Sequence, residues 1–151
     1  MIITKLHLGV ALFASAYLYY LNPNTSSTMN YLPISEIQQK TPLQKSMADG
    51  KEIYADFCIQ CHQANGKGDG INFPTLDGSN WLTEKRTQSI HALKFGLNGP
   101  IVVNGTKFNN AMSAMGLSNQ EVADVMNYIM NSWSNKSKKI VTTAEVALVK
   151  K

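Results

Sequence analysis

Apolar positions recur at helical spacing in three stretches of this chain, and nothing alternates like a strand over any length. Leu43, Met47, Gly50, Tyr54 and Phe57 fall on one helical face, which predicts a helix over 44–58 ending near Cys58. Ile90, Leu93 and Leu97 mark the buried side of a second helix over 84–95. Thr83 is its N-cap, Glu84 lies in its first turn and Gly96 closes it. Val122, Val125, Met126, Ile129, Met130 and Trp133 form the stripe of a third. Ser118-x-x-Glu121 opens that helix as a capping box, in which each side chain bonds the other residue's backbone N–H. Thr142-x-x-Glu145 is a second such box, opening a short helix with Val146 and Val149 on one face.

The connections are long. Residues 62–81 are rich in Gly, Asn and Asp and predict an extended loop, and 98–110, with Gly99, Pro100 and Gly105, a loop or a small hairpin. The expected class is all-α, with three to four short helices and long loops around a thin core. Something other than side chains should fill that core.

The pattern changes at both ends. Leu8 to Leu21 is an uncharged apolar run of 14, preceded by Lys5. Its length suits a signal-peptide core better than a full membrane span, which needs about 20 residues. Ala14-Ser15-Ala16 offers a small-x-small cleavage site, yet Tyr17, Tyr19 and Tyr20 suit a helix resting at a membrane interface. Residues 1–21 therefore read as a signal peptide or an N-terminal membrane anchor, the anchor running through residues 2–21. Both readings deliver the rest of the chain outside the cytoplasm. Residues 22–42, with Asn22 to Asn30 polar and small, form a linker. A domain over 43–134 follows, and 135–151 is a basic C-terminal tail carrying the short helix.

Charge then excludes one class of partner. Of 151 residues, 14 are Lys or Arg and 10 are Asp or Glu, a formal net charge of +4. Residues 41–133 hold 7 basic and 8 acidic side chains, net −1, whereas 134–151 hold five Lys against Glu145, net +4. The surplus sits in the tail, and the domain lacks the basic face of a nucleic-acid binder. Apolar residues make up 44% of the chain, enough for a packed core, and 2 Cys cannot make a disulfide scaffold.

Those two cysteines carry the chemistry. Cys58-Ile59-Gln60-Cys61-His62 is a C-x-x-C-H sequence, the attachment signature of haem c. Two thiols add across the two vinyl groups of a haem, and two intervening residues let both sulfurs reach one porphyrin edge. His62, the next residue, lies over the iron and supplies an axial nitrogen. A thioredoxin-type pair would need a βαβ setting, and a structural zinc site would need about four ligands, with no further Cys in the chain. A porphyrin is also a large apolar plate around which short helices can fold.

From these residues outward the chain resembles the class I c-type cytochromes, small monohaem electron carriers. Gly50 and Tyr54 resemble the family's first-helix glycine and aromatic, and Gly66-Lys67-Gly68-Asp69-Gly70 its glycine-rich turn. Phe73-Pro74-Thr75-Leu76-Asp77-Gly78 is similar to its P-x-L-x-G stretch. Leu117-Ser118-Asn119-Gln120-Glu121 with Tyr128-Ile129 resembles its last helix. Leu97-Asn98-Gly99-Pro100-Ile101 and Asn104-Gly105 are similar to a bacterial subgroup found as subunits or fused domains of respiratory enzymes.

The resemblance implies roles. His62 is the proximal ligand, Pro74 supplies the carbonyl that accepts from its imidazole, and Leu76 packs on the haem face. The sixth ligand should be a methionine ahead of the last helix. Phe108-Asn109-Asn110-Ala111-Met112 matches the family's aromatic-Asn-x-x-Met pattern, which favours Met112. Met115 is the other candidate, otherwise a soft contact against the haem. Ser113 stands where the family usually has Pro, which leaves this loop less rigid. Trp81 lines the haem or bonds a propionate, with plain core packing the alternative. His91 would permit bis-His ligation but reads more simply as an exposed helix residue. Gly50 and Tyr54 should face Val125 and Tyr128, letting the first and last helices cross closely.

His/Met ligation leaves no open iron position, so the expected function is one-electron transfer and not catalysis. One alternative is a fixed haem subunit of a respiratory or dehydrogenase complex. Another is a sensor or enzyme with an open iron. The expected partners are an oxidase, reductase or dehydrogenase. The expected place is the periplasm, soluble or tethered to the inner membrane.

Overall fold

The computed structural model describes residues 40–137 and 139–151. The apolar run of residues 1–21 and nearly all of the linker lie outside the described residues. Helix α1 (Pro42–Phe57) begins at Thr41, whose hydroxyl accepts from the Gln44 N–H while the Gln44 side chain accepts from the Thr41 N–H. Pro42 at its first position has the fixed φ that a helix start requires and no N–H to waste there. This Thr-x-x-Gln box sets the start two residues earlier than the apolar pattern alone indicates. The backbone turns on through Cys58 into α2 (Ile59–His62), which stops at Gln63 with φ +64°. The Tyr54 hydroxyl donates to the Gln63 carbonyl at 2.7 Å and fixes this stop.

The expected 84–95 helix is in fact two, α3 (Asn80–Glu84) and α4 (Arg86–Phe95), broken at Lys85. Thr83 does not cap. Its hydroxyl turns back to the Asn80 carbonyl at 3.0 Å, inside α3, so the polar cue belonged to the preceding turn. Gly96 ends α4 with φ +83° as expected.

Residues 98–110 form a hairpin, β1 (Ile101–Val103) against β2 (Thr106–Phe108), with Ile101 opposite Phe108. Asn104 and Gly105 both have positive φ, the two-residue turn that matches strand twist. The Asn104 side chain and backbone exchange hydrogen bonds with Asn80, each 2.9 Å, tying the turn to the start of α3.

Helix α5 (Asn119–Ile129) has the full capping box of Ser118 and Glu121 and buries Val122, Val125, Met126 and Ile129. It crosses α1 at Gly50, where a Cβ would overlap the Asp124 carbonyl. Tyr54 and Tyr128 rings meet at 5.4 Å beside this crossing. Trp133 is not on the α5 stripe. The helix ends first, Trp133 takes φ +55°, and its indole N–H donates to Ala64 O at 3.1 Å. Phe57 is 44% exposed, although its spacing puts it with the buried face of α1.

Helix α6 (Thr143–Leu148) covers the far side of α5, with Val141, Val146 and Val149 buried. Its box is only half formed. Thr142 caps the Glu145 N–H, but the Glu145 carboxylate turns away to Arg86, at 2.6 and 2.8 Å. The same guanidinium donates to the carbonyls of Lys139 and Ile140, and Lys94 donates to those of Val146 and Val149. Two α4 cations are thus satisfied largely by the backbone of the last segment, which packs onto the domain.

Among the described residues no helix is long and apolar enough to cross a membrane. The two-stranded hairpin does not alter the helical class.

Candidate functional site

One slot runs into the domain from the Cys58–His62 turn. It has an inner lobe of about 80 Å³ and an outer lobe of about 220 Å³. Cys58, His62, Pro74, Leu97, Ile101 and Met112 line both lobes. Neither lobe is lined by Lys, Arg, Asp or Glu.

The helical turn Cys58–His62 places both thiols and the imidazole at the slot. Cys58 is buried and Cys61 half-buried, and neither is in a disulfide. Burial pushes the Cys58 thiol up to about 11, with Cys61 adding to the effect. His62 Nδ1 lies 3.0 Å from the Pro74 carbonyl. A carbonyl only accepts, so Nδ1 carries the proton and Nε2 keeps its lone pair. Burial lowers the His62 pKa, opposed by the Pro74 bond, and so favours the neutral form that can bind a metal.

Leu76 and Trp81 are half-buried and line the inner lobe. Met112 lines both lobes too, and its N–H and carbonyl pair with those of Leu97 at 2.8 Å each. That antiparallel bridge fixes the backbone next to Ser113, where the sequence lacks the usual proline. Met115 lines the outer lobe alone. His91 lines neither lobe. Its ring packs on Phe95 at 5.0 Å, which sets it apart from the slot.

Leu97 and Ile101 line both lobes, and Phe57 the rim, without having been assigned a place there from sequence. The helical spacing puts Leu97 on the buried side of the 84–95 helix, and for Ile101 the signal was the Leu97–Ile101 stretch. Phe57 carried the opposite signal.

An apolar slot with two free thiols, a neutral imidazole and a thioether in its lining fits a flat, apolar, covalently held macrocycle with a metal at its centre. That donor set defines a c-type haem protein. The cytochrome c family model matches residues 47–133, and the chain belongs to that family. Family membership brings one covalently attached haem c and a role in electron transfer.

Cytochrome c-552 of Thermus thermophilus is 40% identical over 101 residues, which cover 64% of this chain and 68% of that protein. The gluconate 2-dehydrogenase cytochrome c subunit of Pantoea cypripedii is 34% identical over 109 residues, 68% of this chain but 24% of that subunit. The cytochrome c subunit of the quinone alcohol dehydrogenase of Gluconacetobacter polyoxogenes is 32% identical over 102 residues, 64% of this chain and 21% of that subunit.

Proposed function

We propose that this chain carries single electrons through a haem c that Cys58 and Cys61 would attach and that His62 and Met112 would ligate. The observation that supports this best is the placement of His62 and Met112 on the walls of one uncharged slot. When bound, the haem supplies an iron that gains and loses one electron.

The chain's own residues do the rest. The Pro74 carbonyl orients the His62 ring and raises its basicity. The Met112 thioether favours the ferrous state and closes the position that a small ligand would take. Leu76 and Met126 keep water from the inner lobe, and the Trp81 N–H is a donor for a propionate. Met115 packs at the outer lobe. Cys61 and Phe57 mark the rim by which electrons enter and leave, through a small and brief protein contact. A haem iron closed by His62 and Met112 would do no substrate chemistry, which favours a carrier over an enzyme in itself. The leader-like pattern of residues 1–21 and the C-x-x-C-H sequence support work in the periplasm, soluble or tethered through residues 2–21.

The dehydrogenase relatives favour a second reading, a fixed haem subunit passing electrons within a larger complex. Purification under mild detergent separates the two: a subunit travels with a large partner, a carrier does not.

An optical redox titration of the haem-loaded protein, with and without CO, tests the ligation. A single low-spin, high-potential haem indifferent to CO is expected, becoming CO-sensitive in Met112→Ala. CO binding to the wild type would overturn His/Met ligation and point to a sensor or an enzyme with an open iron.

A further inference from the structure

Pro74 has no N–H, so the Phe73–Pro74 peptide that leads into the His62-binding carbonyl has no donor of its own. Its setting therefore depends on how the Phe73 carbonyl and the turn before it are held. Immediately upstream, both polar backbone groups of Phe73 are taken by one residue. The Phe73 N–H donates to Asp69 Oδ1 at 2.8 Å, and the Phe73 carbonyl accepts from the Asp69 N–H at 3.2 Å. The same carboxylate oxygen accepts from the N–H groups of Ile71 and Asn72, at 2.9 and 2.7 Å, and Oδ2 from the Asn72 side chain at 3.1 Å.

The turn so formed is also joined to the ligand. The Gly68 N–H donates to the His62 carbonyl at 3.0 Å, and Gly68 lies so close beneath Phe73 and Pro74 that a Cβ would overlap the Phe73 carbonyl. Asp69 is exposed and outside the slot. Its backbone donors nevertheless hold its carboxyl well below the usual range, as expected of a charge tied into the turn.

We propose that Asp69 is a positioning residue: its carboxylate shapes the turn that aims the Pro74 carbonyl at His62, and through that hydrogen bond it tunes the haem's reduction potential. This rests on His62 being the proximal ligand. A strong bond from Nδ1–H makes the imidazole a better donor, which favours ferric iron. Loosening the turn should weaken that bond and raise the potential.

The test compares Asp69→Ala with Asp69→Asn in the haem-loaded protein. Both remove the charge, but Asn keeps an acceptor oxygen at the same reach. Two quantities are read: the midpoint potential, and the solvent exchange rate of the His62 Nδ1 proton by NMR. Asp69→Ala should raise the potential and speed ring-proton exchange at least tenfold, while Asp69→Asn stays close to wild type in both. Equal potential shifts in the two variants with the ring proton still protected would overturn the proposal, leaving only a surface charge effect. So would a loss of thermal stability in Asp69→Ala with both readings unchanged. If the alanine chain does not retain haem, Asp69→Ser, with one acceptor oxygen, takes its place under the same outcomes. The ligand reading fails separately: wild-type His62 ring protons without paramagnetic shifts in the oxidised state would remove His62 from the iron, whatever Asp69 does.

Discussion

The two walls of the slot are built differently. The histidine wall, from Cys58 to Ser79, is tied at many points. Gly66 O accepts from Leu76 N–H at 2.6 Å and Asp77 N–H at 3.0 Å, and the Asp77 carboxylate accepts from both the N–H and the hydroxyl of Ser134. Asn135 donates to Leu76 O, and Asp69 closes the turn before Pro74. The methionine wall, Gly96 to Leu117, carries a single charge, Lys107, and Met112 is held by one backbone bridge to Leu97. One proposed ligand sits in an over-determined loop and the other just beyond a short hairpin. The lesson is that the methionine should yield first under any stress.

The largest effect that would sharpen this contrast comes from Gly68→Ala. Its φ of +63° and the carbonyls above it leave no room, so a loss of about 3 kcal/mol is expected in denaturant unfolding, with a disturbed histidine. A loss under about 1 kcal/mol would mean the histidine wall is as pliable as its opposite. Next comes Met112→Ala, which should lower the potential and admit CO while haem stays attached through the thiols. Met115→Leu should do neither, and CO binding there would move the ligand assignment. Gly105→Ala is the counterpart of Gly68→Ala. It has φ +82° but open space around it, so only about 1 kcal/mol should be lost.

The smallest effect is acidic. Asp77 sits below its ordinary range because Ser134 donates to it twice. A depressed carboxyl stabilises fully above its unfolded pKa, 3.8, and loses that contribution as pH falls through the lower folded value. Asp77→Asn should therefore flatten the acid limb of a melting curve below about pH 4, an effect that the methionine wall has no carboxylate to produce. Equal slopes in the two proteins would break this part of the contrast.

How much of this could be read in the sequence follows the same division. Helix ends governed by a local rule were legible: Ser118 with Glu121, and Gly96. Thr41 with Gln44 obeyed the same rule but was hidden by Pro42, which reads as a boundary. Thr83 misled because a threonine can satisfy the carbonyl three residues back as readily as cap the next helix. Trp133 and Phe57 were mistaken for stripe residues, since periodicity does not say where a helix stops or what lies opposite. C-x-x-C-H was legible because covalent chemistry fixes its spacing. The Pro74 carbonyl was legible through the family resemblance, but the Asp69 bonds that close the turn before it were not, because they use backbone atoms that leave no pattern in residue types.

The grip of Arg86 and Lys94 on the carbonyls of residues 139–149 bears on the order in which the protein is completed. A chain leaving a ribosome or a membrane pore N-terminus first presents Cys58, Cys61 and His62 long before Val141 and Val146. Until those valines arrive, the outer faces of α4 and α5 stay wet and the two α4 cations lack their acceptors. The segment with both cysteines and His62 is thus made before the residues that cover α4 and α5, and the last segment is what completes the packing.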